Sequence, residues 1–306
     1  MPSLTYARPQ TALGSIAGIG LNRPTSSATL ARRVTGSDVS GVSYRVQAEH
    51  GVTTASLAAG AARTAIEAAG TDPTDIGMIV VGTASPDVLW PSTACLVQTE
   101  LKLPMVAAFD LYAAEASLLT ALDVAIRFLS DETRAVLLIG ADSDNQLVDL
   151  PGQGSAVRGR AAGAVVLRSA DSSGGVLSTV IGGAARPGVH QDADVPGMLE
   201  GLRNGVGECL RRAHLSLAEV DLVIGDQGTP EAMSAWAKAS GVPAGRLLLD
   251  GSRYGALLAA APLAALYDAA ESGRLKEGMV VLVLECGSGP VWAAACLRWG
   301  RTGVGA

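Results

Sequence analysis

The sequence predicts a layered α/β protein made of two copies of one α/β half, with helices packed on both faces of mostly parallel sheet. Three observations lead to this. Short unbroken apolar runs alternate with longer Ala-rich stretches along the chain, the alternation from which strand and helix layers are built. The apolar runs lack polar alternation, so each strand is expected to be covered on both faces. The pattern also repeats: Asp75-Ile76-Gly77-Met78-Ile79-Val80 is echoed 144 residues later by Glu219-Val220-Asp221-Leu222-Val223-Ile224, and Pro86-Asp87 by Pro230-Glu231 at the same spacing. Thr133 to Ile139 and Gly278 to Leu284 match at a spacing of 145, and self-similarity on this scale marks a repeated structural unit.

In chain order, Ser56 to Ala69 reads as a helix, Met78 to Val81 as a strand and Ala113 to Leu129 as a second helix. Ala135 to Ile139 and Ala164 to Leu167 are β-branched and leucine-rich strands. The Ser/Gly-rich segment Ser169 to Gly175 is a joint, dividing the chain into residues 1–172 and 173–306. Met198 to Ala213 is the next helix, Leu222 to Ile224 a strand, Glu231 to Ser240 and Ala256 to Ser272 helices, and Met279 to Leu284 the last strand.

Composition excludes several classes. At 306 residues, 48% hydrophobic and only 17% charged, the chain is too apolar for intrinsic disorder and long enough to bury a large core. Its net charge of −6, with no basic block, argues against a nucleic-acid partner. The longest apolar stretch, Ala256 to Tyr267, contains Pro262 and is far shorter than the roughly 20 residues of a membrane-spanning helix. The N-terminus has no basic segment leading into an apolar core, so the expectation is a cytoplasmic protein without a secretory signal. Cys95, Cys209, Cys286 and Cys296 are widely spaced and form no CxxC, which reads as buried structural thiols rather than a disulfide framework or metal site.

Gly82-Thr83-Ala84-Ser85-Pro86-Asp87, Pro91-Ser92-Thr93-Ala94-Cys95-Leu96-Val97-Gln98 and Ala108-Phe109-Asp110-Leu111-Tyr112-Ala113-Ala114 together resemble β-ketoacyl-acyl-carrier-protein synthase III of the thiolase superfamily. The likeness continues through Leu137 to Asp142, Arg253-Tyr254-Gly255 with Pro262, and Glu285-Cys286-Gly287-Ser288-Gly289 followed by Trp292. The resemblance implies a thiolase fold: duplicated α/β halves in a five-layer α/β/α/β/α arrangement. It also implies a homodimer, with the Cys95 to Tyr112 region near the two-fold axis.

At the catalytic positions the chain departs from the pattern it resembles. The family's Ala-Ala-Cys-Ser-Gly run places a thiol at the start of a buried helix, where the helix dipole favours thiolate. Here the run reads Ala113-Ala114-Glu115-Ala116-Ser117. The His-Gln-Ala-Asn motif that follows a strand corresponds to Asp226-Gln227-Gly228-Thr229, and the asparagine of Gly-Asn-Thr-Ser to Ala256. The resemblance thus implies that Cys/His/Asn has become Glu115/Asp226/Ala256. Decarboxylative condensation needs a thiolate and neutral donors for the enolate oxygen. Ser117 lies two residues further on, and His50, His190 and His214 map elsewhere.

Two carboxyls at one tunnel end would share a proton and form an acid beside a base. Such a pair suits dehydration, cyclisation, isomerisation or hydrolysis of a bound acyl thioester. Backbone N–H groups of Glu115 and of Gly287, Ser288 and Gly289 correspond to the family's oxyanion hole. Arg158 and Arg160, in the loop matching the family's Phe-Gly-Asp-Gly-Ala, are candidate partners for Glu115. Ser40 and Ser43 stand where the family holds coenzyme A, whereas Arg253 matches a basic residue that meets the carrier protein. The expected substrate therefore rides on the phosphopantetheine arm of an acyl carrier protein, with no cofactor or metal of the protein's own. Two alternatives stay open: a catalytically silent partner subunit of an active ketosynthase, forming a heteromer with it, and an acyltransferase to a hydroxyl or amine acceptor. In each case the setting is specialised metabolism of polyketide or fatty-acyl type.

Overall fold

A computed structural model of the chain describes residues 13–22, 52–113, 116–143, 160–169, 174–183, 195–225, 234–235, 237–238, 241–248, 257–286 and 291–305. The elements are β1 (Ser15–Asn22), α1 (Thr54–Ala69), β2 (Ile76–Gly82), α2 (Thr93–Leu101), β3 (Ala107–Leu111), α3 (Ser117–Phe128), β4 (Ala135–Asp142) and β5 (Ala161–Arg168). They continue with β6 (Gly175–Gly183), α4 (Val195–Arg212), β7 (Leu222–Ile224), α5 (Ala261–Glu271), β8 (Val280–Cys286), β9 (Val291–Arg298) and β10 (Gly303–Val304). Local chemistry sets the ends. Thr53 and Ser56 form a reciprocal capping box that opens α1, and Gly70 closes it in the left-handed region at φ 55°, a conformation glycine adopts without a Cβ penalty.

The strands form two sheets, ordered β10-β1-β5-β4-β2-β3 and β6-β9-β8-β7. Side chains sort into three packed layers around them. α1 and α2 cover one face of the first sheet through Ala58, Ala62, Ile79, Val81, Leu137 and Ile139. α3 and α5 lie between the sheets, with Leu118, Leu122, Leu263 and Leu266 packed against Val80, Leu138, Val281 and Val283. α4 closes the outer face of the second sheet through Leu202, Val206 and Leu210 against Leu282 and Leu284. This is the expected α/β/α/β/α order. All eight residues of β4 are buried, so the unbroken apolar runs are covered on both faces.

The repeat is visible in the geometry. β2 is entered through a 3-10 turn at Pro73–Asp75 and β7 through one at Leu217–Glu219. β1 carries a register shift between Ile16 and Gly18, and β6 one between Val176 and Ser178. Among the described residues, the second-sheet counterpart of β3 is a single parallel bridge from Val223 to Leu247. The starts of β1 and β6 meet, with Leu13 N donating to Val176 O and Val176 N to Gly14 O, both at 2.7 Å.

Three sequence expectations need correction. The sheets are mixed rather than mostly parallel: β1/β5, β4/β5, β6/β9 and β8/β9 are antiparallel. The link from β8 to β9 is only residues 287–290, too short for the crossover a parallel pair requires. α3 begins at Ser117 rather than Ala113, because the Ala113 N–H donates to Ser117 Oγ at 2.9 Å and forms a turn outside the helix. The helix expected from Ala256 opens with a 3-10 turn at Leu258–Ala260, and α5 proper starts at Ala261 with Pro262 in its first turn, where the missing N–H is harmless. The helix expected at Glu231 to Ser240 lies mostly outside the described residues.

β4 approaches the Leu258–Ala260 turn so closely that a Cβ at Gly140 would collide with the Ala259 carbonyl oxygen, a backbone atom that cannot swing away. Gly140→Ala is expected to lower stability by about 2–3 kcal/mol through this overpacking, read as a drop in the urea midpoint. An unchanged midpoint would contradict the packing.

Candidate active site

The parallel strands β2, β3 and β4 of the first sheet run the same way, and β7 and β8 of the second sheet are likewise parallel. In open α/β sheets ligands gather beyond such carboxyl ends. Most of the sequence-derived site positions follow these ends closely in the chain. Position 115 lies between Leu111, the end of β3, and Ser117, the start of α3. Position 226 follows the end of β7 by two residues, and 287–289 follow Cys286 at the end of β8. Position 256 immediately precedes Leu257. Glu115, Asp226, Ala256, Arg158, Arg253, Gly287, Ser288 and Gly289 themselves lie outside the described residues, as do Ser40 and Ser43. Arg160 is described: it is half-buried and precedes Ala161, which pairs with Asp142 at the end of β4.

Around these ends the fold buries a polar framework. Asp142, 1% exposed, closes β4 and accepts four hydrogen bonds. Its Oδ1 takes Thr83 Oγ1 at 3.2 Å, Ala84 N at 2.8 Å and Ser85 Oγ at 2.8 Å. Its Oδ2 takes Ala259 N at 2.9 Å. One carboxylate thereby joins the loop after β2 to the turn before α5. Burial pushes its pKa up to about 6, opposed by the donors from Ser85, Ala259, Ala84 and Thr83. The network extends outward: Ser143 N donates to Ser85 Oγ at 2.9 Å, and Thr54 Oγ1 donates to Ser85 O at 2.8 Å.

Three helix N-termini in this framework are each met by a carboxylate from elsewhere in the chain. Asp87 accepts from Thr54 N at 2.7 Å and Ala55 N at 2.8 Å at the head of α1. Asp110, on β3, accepts from Thr93 N at 2.6 Å and Ala94 N at 2.8 Å at the head of α2. Glu285, on β8, accepts from Leu119 N at 2.7 Å in the first turn of α3. The first N–H groups of a helix have no partner within it and carry the positive end of its dipole, so an anion there is favoured twice over.

Asp142 and Glu285 stand inside motifs of the sequence, yet sequence reasoning gave neither a role. The available signal was a single acid closing an otherwise apolar strand, in Val136-Leu137-Leu138-Ile139-Gly140-Ala141-Asp142 and Val280-Val281-Leu282-Val283-Leu284-Glu285. The cysteines also differ from expectation: Cys209 and Cys296 are buried, but Cys95 and Cys286 are only partly so. Burial lifts the Cys209 thiol to about 11, against a lowering contact from Ser178, and the Cys296 thiol to about 12. Both are therefore protonated and inert near neutral pH. Among the described residues no helix is long and apolar enough to cross a membrane.

Two α/β halves, five layers and strand ends that meet a buried polar framework define a thiolase-type enzyme fold. Comparison with known proteins places the chain within that class. The model for 3-oxoacyl-acyl-carrier-protein synthase III matches residues 109–184, and that for its C-terminal part matches residues 210–299. The chain is 36% identical over 302 residues to β-ketoacyl-acyl-carrier-protein synthase III of Sphingopyxis alaskensis, covering 89% of this chain and 94% of the relative. It is 34% identical over 267 residues to that of Coxiella burnetii, covering 80% and 83%. The structure of 3-oxoacyl-acyl-carrier-protein synthase III from Aquifex aeolicus superposes with a TM-score of 0.80 at 28% identity, over 94% of this chain and all of that one. The chain belongs to the ketosynthase III family.

Proposed function

We propose that this protein is a non-condensing member of its family. It acts in the cytoplasm on an acyl thioester held on the phosphopantetheine arm of an acyl carrier protein, with Glu115 and Asp226 as its acid/base pair. One observation carries the reading: at the junction between β3 and α3, where the family's motif supplies the acyl-accepting thiol, this chain has Glu115. Asp226, just past β7, stands in place of the histidine, and Ala256 in place of the asparagine. Without a thiolate the acyl group has no sulfur to move to, and without the histidine and asparagine the condensation enolate loses both donors.

Two carboxyls near one thioester suit proton transfer. Burial of a carboxyl raises its pKa, as at Asp142, which it pushes up to about 6. A pair under such conditions shares one proton, so one member donates while the other accepts. Backbone N–H groups at 115 and 287–289 would polarise the thioester carbonyl independently of side-chain identity. Arg253 would meet the acidic carrier protein at the tunnel mouth, and Arg158 and Arg160 would lie near the acyl arm. The test is intact mass spectrometry of a panel of acyl-carrier proteins incubated with the wild type or with Glu115→Ala. A Glu115-dependent change on the arm supports the reading: loss of one water for dehydration, or loss of the acyl group for hydrolysis. Mass-neutral products are resolved by chromatography of the released acyl chain. No difference between wild type and variant by either method would overturn it.

The protein is further proposed to work as a homodimer through β3. Among the described residues that strand is the edge of the first sheet, and a sheet edge presents N–H and C=O groups for pairing. Leu89 and Trp90, in the loop between β2 and α2, and Met105 and Tyr112, on either side of β3, are 77%, 84%, 99% and 72% exposed, and such large apolar exposure marks an association surface. Trp90→Asp with Met105→Asp is expected to convert a dimer to monomer in light scattering at micromolar concentration. A wild-type monomer would contradict the proposal.

A further inference from the structure

The geometry points to a binding site for a small phosphate-class dianion at the seam between the two halves of the molecule, held by Arg168, Arg298 and Arg301. The site lies at the opposite end of the sheets from the strand ends described above. Asp142, where β4 ends, pairs with Ala161, whereas Arg168, where β5 ends, pairs with Ala135 at the start of β4. Arg298, where β9 ends, likewise pairs with Val280 at the start of β8.

The duplication of the fold builds this arrangement. Arg168 also pairs with Ser15, the first residue of β1, and Arg298 with Gly175, the first residue of β6. The two arginines therefore occupy equivalent registers, one in each sheet. The strand starts beside them are joined by the hydrogen bonds of Leu13 N to Val176 O and Val176 N to Gly14 O. Both arginines line one cavity of about 220 Å³, to which Arg301, in the segment after β9, adds a third guanidinium. Among the described residues lining this cavity, none is acidic.

Arg168 and Arg298 meet only neutral acceptors among the described residues. Arg168 is half-buried, and its Nη2 donates to Thr71 Oγ1 at 2.6 Å and to Ala69 O at 3.5 Å. Ala69 ends α1, whose last carbonyls have no partner inside the helix. These bonds fix the guanidinium through one nitrogen, and a guanidinium has five N–H donors. Arg298 Nη1 donates to Gly278 O at 3.4 Å. The acids close by are engaged elsewhere and line no part of the cavity. Glu277 pairs with Arg301 at 3.3 Å on the exposed surface. Glu219 accepts the Ser216 N–H and hydroxyl, both at 2.8 Å.

Guanidinium charges on one cavity repel one another unless an anion lies between them. Arginine cannot shed its charge by losing a proton, so the balance has to come from a ligand. The planar fork donates in parallel to two oxygens of one oxyanion, a geometry that suits phosphate. At about 220 Å³ the cavity is smaller than the roughly 300–1,000 Å³ of pockets for drug-sized molecules. The ligand is accordingly inorganic phosphate or a small phosphomonoester. Bound there, it would join the end of α1 and β5 in the first half to the end of β9 in the second.

The test is equilibrium dialysis of the full chain against radiolabelled inorganic phosphate, and separately against glycerol phosphate, in chloride at constant ionic strength. Saturable binding of one anion per chain is expected, and the tighter of the two probes tells free phosphate from esterified phosphate. Arg168→Gln and Arg298→Gln are each expected to weaken it by about tenfold or more, the worth of a hydrogen bond to a charged group. Arg253→Gln, which alters the proposed carrier contact, is expected to leave it unchanged. Arg168 also holds the end of α1; should Arg168→Gln fail to fold, Arg298→Gln decides, because Arg298 is exposed. No saturable binding of either probe below about 10 mM overturns the proposal. So does binding that survives both substitutions, or that is lost in Arg253→Gln alone. Asp171, the one acid of segment 170–173, lies outside the described residues. Phosphate binding by Asp171→Asn but not by the wild type would mean that the chain neutralises the cavity itself, and would overturn the proposal as well.

Discussion

Glu115→Gln is expected to lower turnover of the acyl-carrier substrate by about 10²- to 10⁴-fold, the range over which a positioned acid or base contributes. The substitution keeps the volume and removes the titrating proton, so the protein should melt and sediment like the wild type. Asp226→Asn is expected to do the same. Because the two carboxyls act on one proton, the double variant should be little worse than either single, the non-additivity expected of residues that work as a unit. The wild-type pH profile should be bell-shaped, with apparent values belonging to the pair rather than to either residue. Full activity in both single variants would sink the assignment.

The second large effect falls on Asp142. All four of its hydrogen bonds are accepted from donors, so either orientation of an asparagine turns its NH₂ toward an N–H or hydroxyl donor. Asp142→Asn is expected to lower stability by about 2–4 kcal/mol through unmet buried groups, a fall in melting temperature of about 5–10 °C. The pH dependence has a definite sign. The carboxyl titrates at about 6 in the fold against 3.8 unfolded, so between those values the folded protein binds the extra proton. Its contribution is greatest below pH 3.8 and weakens by on the order of 3 kcal/mol as pH rises through 6. The variant lacks this group, so the melting gap between wild type and variant should narrow from about pH 4 to about pH 7. A constant or widening gap would contradict the burial-driven shift.

Much of the fold was legible because burial writes itself into sequence. β2, β4, β5, β7 and β8 are covered on both faces and therefore read as unbroken apolar runs, and the repeat of β2 in β7 survives as a spacing. β1, β3, β6, β9 and α2 were not identified. β1 and β9 each take three of their eight residues from glycine and alanine, which strand propensity disfavours; in β1 the close approach of α1 to Gly18 and Gly20 requires the glycines. β3 is a five-residue edge strand with Asp110 in it, and its length and polarity hide it. Strand direction was misjudged because periodicity reports burial and says nothing about the orientation of a partner.

The candidate site was legible to the extent that motif positions can be counted from strand ends. Glu115, Asp226 and Ala256 are read as departures from a family pattern, a reading that rests on sequence alone. Asp142 and Glu285 were invisible in function because their partners lie far away in the chain. Ala259 is 117 residues from Asp142, and Leu119 is 166 residues from Glu285. Only folding brings a strand end to a helix head, so a buried capping carboxylate reads in sequence as a stray acid in an apolar run. The start of α3 failed for a related reason: alanine propensity extends the helix to Ala113, and the Ser117 hydroxyl competes for that N–H.

Whether this ketosynthase III relative condenses is tested most directly by incubating the wild-type protein with matched acyl-coenzyme A or acyl-carrier donors and malonyl-carrier protein, the carrier arms being read by mass spectrometry. A non-condensing enzyme gives no 3-oxoacyl product, no carbon dioxide release from malonyl-carrier protein, and a change in the acyl-carrier donor that disappears in Glu115→Gln. Formation of a 3-oxoacyl-carrier product by the wild-type protein would contradict it.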